Sequence, residues 1–301
     1  MIFTESTAIY TTILAEIALA LHPVIIKEIP ASLSTQLLAR LGTYGILSLA
    51  LATPSEREQT WGTVPNSINS LLLGLMNIVH IASSYISYAL LPAGSALALF
   101  YTYPFMNILA GVLFLGDTFS WSIFPLLILA FVGVLLISYS TKEQDVEKPN
   151  SIQDYPKQFQ GVAWGILMAL LSAVTETLIF LVAKVPRGAH TPWLSMSRLY
   201  PGALLAFVGW LLYKKEPIQT DLKIWTPLLL FNIFIGFLGY SLRFFSIPLL
   251  PTAIFSILTF IGVVAGYSWG LIFSKEVPNM QSLLGAGLIT GSLGILNWMK
   301  N

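Results

Sequence analysis

Cysteine is absent from the chain. Its absence removes disulfides, thiolate metal sites and cysteine nucleophiles together, and leaves the redox compartment open. Charge is scarce: Asp, Glu, Lys and Arg make up 10% of the 301 residues, against about 25% in soluble domains. Neither sign dominates. A net charge of +1 argues against nucleic acid or an acidic polymer as partner. Histidine occurs three times, as His22, His80 and His190, on separate segments and without ligand spacing. H-E-x-x-H, G-x-S-x-G, a Walker lysine loop and an acidic metal cluster are missing. No cofactor and no enzyme chemistry is therefore expected, and transport, if there is any, would run on gradients or exchange. Met1 to Tyr10 holds Glu5 but no Lys or Arg, so a cleaved signal with a basic n-region is not expected. No lipidation motif is present.

Apolar residues take the place of the missing charge, at 55% of the chain. A soluble fold of this size cannot hide so much apolar surface in one core. The apolar windows fall at 7–26, 32–53, 67–90, 94–115, 119–139, 160–183, 191–213, 224–247, 251–272 and 280–299. Each is about 20 residues, the length of a spanning helix. The runs are continuous rather than alternating, which excludes barrel strands. An all-α integral membrane protein with ten transmembrane helices is predicted. Pro54–Pro65, Lys142–Gln160 and Lys214–Lys223 read as charged connections. The longest is polar, carries Pro149 and Pro156, and separates a first repeat (1–141) from a second (160–301) through a linker at 142–159.

The two halves repeat. A shift of 159 lays Ser87 on Ser246, Pro92 on Pro251, Gly111 on Gly270, Phe114 on Phe273 and Asp117 on Glu276. Shifts of 157 and 158 lay Lys27 on Lys184 and Arg40 on Arg198. Apolar coincidences carry no weight in a Leu-rich chain, whereas charges and prolines at near-constant offset do. A unit with an odd number of crossings enters its second copy from the opposite side. Two inverted five-helix repeats follow, the plan of many secondary transporters.

Two five-span halves with these residues resemble the EamA-type members of the drug/metabolite transporter superfamily. The likeness rests on Lys27 and Lys184 ending the first span of each half and on Arg40 and Arg198 early in the second. It rests also on Pro92-Ala93-Gly94 and Pro251-Thr252-Ala253 before the fourth, and on Asp117 and Glu276 closing it. The chain departs from the pattern at Ser274-Lys275, where Leu-Gly is usual, and at Asp117, where Glu is typical. The resemblance implies transport of a small metabolite across a membrane without a covalent step. It also implies both ends of the chain in the cytoplasm, which the positive-inside rule opposes: Lys27, Lys142, Lys148, Lys157, Lys214, Lys215, Lys223 and Lys275 would then lie in outside loops, against Arg57, Lys184, Arg187 and Lys300 inside.

Polar side chains inside the spans point to function, since a mid-bilayer charge costs about 2.5–3.5 kcal/mol on insertion scales. On the third span Asn77, His80, Ser84 and Tyr88 share one helix face. The 159 shift turns that face into Gly236, Gly239, Arg243 and Ile247, with Tyr240 beside it. Asn77, His80, Ser84, Tyr88, Tyr101, Tyr240 and Arg243 are the candidate substrate-binding residues. Asn77 and Ser84 serve equally well as hydrogen-bonding glue between helices. Glu16 and Glu176 are candidate proton carriers, because low dielectric penalises a charged carboxyl; permanent pairing with Arg243 or Lys184 is the alternative. Pro23 is expected to kink the first span. Lys27 and Lys184 read as snorkelling to headgroups, and Arg40 and Arg198 as structural, paired with loop groups or phosphates. Tyr103 and Asn107 share one face of the fourth span, and the 159 shift gives Gly262 and Gly266 as their counterparts; with Gly270 these glycines suggest close packing of the ninth span against the fourth. Trp61, Trp121, Trp164, Trp193, Trp225 and Trp298 lie near span ends, as interfacial anchors do.

A secondary transporter of a small polar or zwitterionic metabolite is the leading expectation. A multidrug or toxic-compound exporter of the same fold is the second, and a membrane-embedded enzyme or scaffold, for which no motif speaks, the third. The expected partners are the small-molecule substrate and the bilayer, with monomer and homodimer both open.

Overall fold

The computed structural model describes residues 5–22, 28–91, 93–119, 121–140, 161–185, 191–273 and 279–300. Pro23, Lys27, Pro92, His190, Glu276 and the 142–159 linker lie outside these residues. Among the described residues every regular element is a helix. The first half contains α1 (Glu5–Leu19), α2 (Leu33–Leu51), α3 (Pro54–Trp61), α4 (Val64–Leu90), α5 (Ala93–Phe100), α6 (Tyr103–Ala110) and α7 (Phe124–Ser140). The second contains α8 (Val162–Lys184), α9 (Pro192–Lys214), α10 (Leu222–Phe231), α11 (Leu238–Ser246), α12 (Thr252–Leu258), α13 (Ile261–Phe273) and α14 (Met280–Lys300). Among the described residues five stretches are long and apolar enough to cross a membrane: Val64–Leu90, Ala96–Leu115, Val162–Lys184, Leu222–Leu249 and Thr252–Phe273. Phe124–Ser138 and Met280–Leu296 are shorter apolar helices.

The expected connection at Pro54–Pro65 is instead largely helical. Thr53 caps α3 from its side chain, and Glu56 answers by accepting from the Thr53 N–H at 2.8 Å, a capping box. The other Glu56 oxygen accepts from the Thr191 hydroxyl at 2.5 Å, which ties α3 to the start of α9. Trp61 donates its indole N–H to the Ser197 carbonyl at 3.0 Å and completes the joint.

The fourth and ninth windows, expected as continuous helices, are each broken. The first break falls at Tyr101–Thr102, the second at Thr259–Phe260. In the first, Pro104 has no N–H to give the carbonyl of Phe100, so the chain restarts its helix at Tyr103 with Pro near the N-terminus. The eighth window is re-phased differently: a π-helical stretch, Asn232–Phe237, joins α10 to α11. Wider turns of this kind sit at functional sites more often than chance.

The halves interleave. α9 packs on α2 and α4, α8 on α4, α5 and α6, and α1 on α11 and α13. α6 meets α12, and α7 meets α14. The α4–α9 crossing is backbone on backbone, because a Cβ on Gly74 would strike Ala203 N and one on Gly202 would strike the Ser70 carbonyl. Asp117, past the end of the fourth window, accepts the Thr252 hydroxyl at the start of the ninth. Lys184 does not snorkel as expected. Its ammonium donates to the carbonyls of Ile247 (3.1 Å) and Leu250, capping the end of the eighth window. Pro251 has no N–H to give the Ile247 carbonyl, so that carbonyl, with the Leu250 carbonyl at the helix end, is left to accept from the cation.

Candidate functional site

Five helices deliver polar side chains to one point between the halves. Glu16 comes from α1, His80 from α4, Tyr103 from α6, Glu176 from α8 and Arg243 from α11. None is more than 5% exposed, so water cannot solvate these charges and they must solvate one another. The Arg243 guanidinium is the hub. Its Nη2 lies 2.6 Å from Glu176 Oε1 and donates to the Tyr103 hydroxyl at 3.1 Å; its Nη1 lies 3.4 Å from Glu16 Oε1. The second Glu176 oxygen faces His80 Nε2 at 3.2 Å. On its other side His80 Nδ1 lies 3.2 Å from the Ser172 carbonyl and 3.2 Å from the Thr175 hydroxyl.

That pattern bears on protons. A carbonyl only accepts, so Nδ1 carries hydrogen; a carboxylate at Nε2 asks for a second one. His80 in its charged form satisfies both neighbours; with Nε2 bare it gives Glu176 Oε2 no donor, because Arg243 holds the other oxygen, Oε1. The charge balance of the cluster therefore turns on the proton at His80 Nε2, while the guanidinium keeps its charge.

The breaks in the helices explain who reaches the centre. In a continuous helix Tyr101 and Tyr103 would point to nearly opposite sides. Across the break their rings lie 5.7 Å apart, both inward. Tyr101 stacks on Phe260 at 5.9 Å, and its hydroxyl occupies the space that a Cβ on Gly262 would fill, with Glu16 Oε2 3.0 Å from that same point. Gly262 thus serves the site. Gly266 faces Ala20, so the glycine-bearing half of the ninth window packs on the first span; the contact expected with the fourth is made by α12.

A second group surrounds Arg40, which was expected to pair with loop groups or phosphates. It is instead buried at 4% exposure under three tyrosines, with its guanidinium carbon 5.1 Å from the ring of Tyr240, 5.5 Å from Tyr44 and 5.7 Å from Tyr85. Its Nη2 donates to the Tyr240 hydroxyl at 2.8 Å. Aromatic faces stabilise a cation that has left water, which is why this arginine sits inside rather than at the headgroups. Tyr240 and Arg243 are one turn apart on α11 and link the two groups.

The expected site residues thus divide. His80, Arg243, Glu16 and Glu176 meet directly, Tyr101 lines the Glu16 side, and Tyr240 bridges to Arg40. Asn77 donates to the Leu199 carbonyl at 3.4 Å, and Ser84 donates to the His80 carbonyl at 2.8 Å and meets the Ser172 hydroxyl at 2.7 Å. Both hold α4 against its neighbours. Tyr88 is half-buried against Leu91, Ala96 and Ala169, with its hydroxyl in electrostatic range of Tyr240, Arg40 and Glu176. Tyr103 and Arg40 belong to the site though the sequence reading gave them structural roles. Tyr44 and Tyr85 were not singled out; their only mark in the sequence is being polar-tipped aromatics inside apolar windows.

Comparison with known proteins agrees with this architecture. The profile of the EamA-like transporter family matches residues 6–139 and again 163–298. The pseudopaline exporter CntI of Pseudomonas aeruginosa, from strains UCBPP-PA14 and PAO1, is 26% identical over 221 residues, which are 73% of this chain and 71% of the exporter. A solved crystal structure superposes with a TM-score of 0.64 over 96% of this chain and 95% of that one; its 15% identity makes this a likeness of fold.

Proposed function

The chain belongs to the EamA-like transporter family, and from that membership we propose that it moves a small polar or zwitterionic metabolite across a bilayer by alternating access, without ATP. Ten spans in two inverted five-helix repeats, 1–141 and 160–301 joined at 142–159, form the proposed frame. The helix pairings support it: exchanging the halves turns α4 on α8 into the eighth window on α1, and α6 on α8 into α13 on α1. The breaks in the fourth and ninth windows also fall within one residue of the 159 shift. Near-equivalent packings of two such halves are what alternating access requires.

The observation that carries the reading is the buried Glu16–Arg243–Glu176–His80 cluster on the seam between halves. Intramembrane ionisable groups are costly and mark substrate or proton paths. Acidic groups on one side of Tyr240 and the Arg40 cation on the other suit a molecule carrying both signs. Glu16 and Glu176 are the proposed proton carriers, and His80, Tyr101, Tyr240 and Arg243 the central binding groups, with Asn77, Ser84 and Tyr88 along the same α4 face. Outward movement of substrate is supported by the exporter relative.

Uptake of a labelled metabolite panel into proteoliposomes, with and without a pH gradient, tests the reading. Saturable, gradient-sensitive movement of a polar metabolite is expected. Movement confined to lipophilic cations would replace it with a toxic-compound exporter.

A further inference from the structure

We propose that Arg40 and the tyrosines around it form an anion subsite that takes a carboxylate of the transported molecule. This rests on the transporter reading above and adds which chemical group the Arg40 side of the site receives.

A guanidinium cannot shed its charge inside a protein. The charges of the central cluster each have an opposite charge in contact: Arg243 faces Glu16 and Glu176, and both carboxylates face Arg243. Arg40 differs. Among the described residues no carboxylate lies within 4 Å of it. Its contacts are the hydroxyls of Tyr240 and Tyr200 and three aromatic faces. Its Nε has no hydrogen-bond partner in the protein although the residue is 4% exposed. A planar fork of five donors with Nε left free can donate to a further acceptor.

The surroundings favour an anion over a structural role. Tyr240 spends its hydroxyl as an acceptor from Arg40 and is left with a proton to donate. Tyr44 brings a second hydroxyl nearby, 3.5 Å from His22 Nε2. That hydroxyl fills the space a Cβ on Gly236 would need, so the π-helical turn approaches the box closely. A carboxylate here meets a guanidinium and phenol donors inside low dielectric, where charge-assisted bonds are strongest. The arginine is joined through Tyr240 to the α11 turn that carries Arg243, so an anion seated at Arg40 touches the element that also holds the central cluster.

The test changes the ligand first, so it does not depend on a variant folding. Thermal unfolding of the purified protein is followed with each of the proteinogenic L-amino acids and with its amide, which keeps the ammonium and loses the carboxylate. At least one acid is expected to raise the melting temperature where its amide does not. In R40Q that acid should bind roughly ten- to a hundredfold more weakly, and R40K should recover only part, because the planar fork is missing. Equal stabilisation by acid and amide, wild-type affinity in R40Q, or no acid acting on the unmutated protein would each overturn the subsite. Proteoliposome uptake of the same probes separates the two ideas. Uptake that ignores the carboxylate leaves the transporter standing and removes the subsite, whereas no uptake of any probe removes the polar-metabolite reading itself.

Discussion

A buried charge is informative because its neighbours must account for it. Arg243 does so with two carboxylates at unequal range, 2.6 Å for Glu176 and 3.4 Å for Glu16. The inequality gives different expectations for the three residues. R243Q strands two carboxylates and should cost about 3–5 kcal/mol, the usual penalty for breaking a buried pair from one side. E176Q should cost nearly as much, since Glu176 also faces His80. E16Q should cost least, and thermal unfolding of the three purified variants would rank them; an E16Q protein less stable than R243Q would reverse this assignment. Transport divides them again. E16Q is expected to lose pH-gradient-driven uptake while keeping substrate-for-substrate exchange at saturating substrate, because exchange needs the cavity and net coupled movement needs the titrating group. Gradient-driven uptake that survives in E16Q, E176Q and the double variant would exclude both carboxylates as proton carriers. Glu16, His80, Glu176 and Arg243 were legible from sequence because each interrupts an apolar run at a cost that demands a reason. Arg40 was not, because an arginine early in a span looks the same whether it reaches headgroups or a tyrosine box. Tyr44 lies one turn on, but the other partners lie far off in sequence, at Tyr85 and Tyr240.

At the scale of the element, periodicity located the apolar runs but could not see where a run stops being one helix. Tyr103 was placed on a packing face by counting along a continuous spiral, and the break at Tyr101–Thr102 invalidates the count. Pro104 is the physical cause and was visible; the matching break at Thr259–Phe260 has no proline, so only the repeat hinted at it. The charged connection after α2 hid a helix because α3 is polar and short, held by its capping box and by Trp61 rather than by an apolar face. The α4–α9 crossing yields a sharper expectation. Gly202 touches the Ser70 carbonyl through the space its missing side chain leaves, whereas Gly209 on the same helix has nothing within 4 Å. G202A should therefore destabilise by about 1–3 kcal/mol through overpacking. G209A should be neutral or stabilising by roughly 0.5–1 kcal/mol, since alanine is the better helix former. The pair of melting temperatures checks the crossing itself, and equal shifts would mean that α4 and α9 do not meet there.

For the whole molecule, the repeat was the part of the fold most openly written in the chain. Prolines, glycines and charges recur at a near-constant offset because each marks a helix end or a close approach that both copies must make. The side of the membrane was not so written. A charge count weighs loops without knowing which are tied down, and Lys184, counted as a loop charge, is committed to the carbonyls of Ile247 and Leu250. The five crossings proposed for the second half would put the linker and the last residues on opposite faces of the bilayer, whichever face is which. The cysteine-free sequence makes this direct to check. Single cysteines at Ser151 and Asn301, labelled in intact cells with a reagent that cannot cross the membrane, should react one without the other. If Ser151 labels, the orientation implied by the family resemblance holds and the lysine-rich loops lie outside; if Asn301 labels, the positive-inside count holds. Equal labelling of both would mean an even number of crossings between them. The two halves would then run parallel rather than inverted, and the exchange of pairings between α4–α8 and the eighth window on α1 would lose its explanation in an in-plane pseudo-two-fold axis.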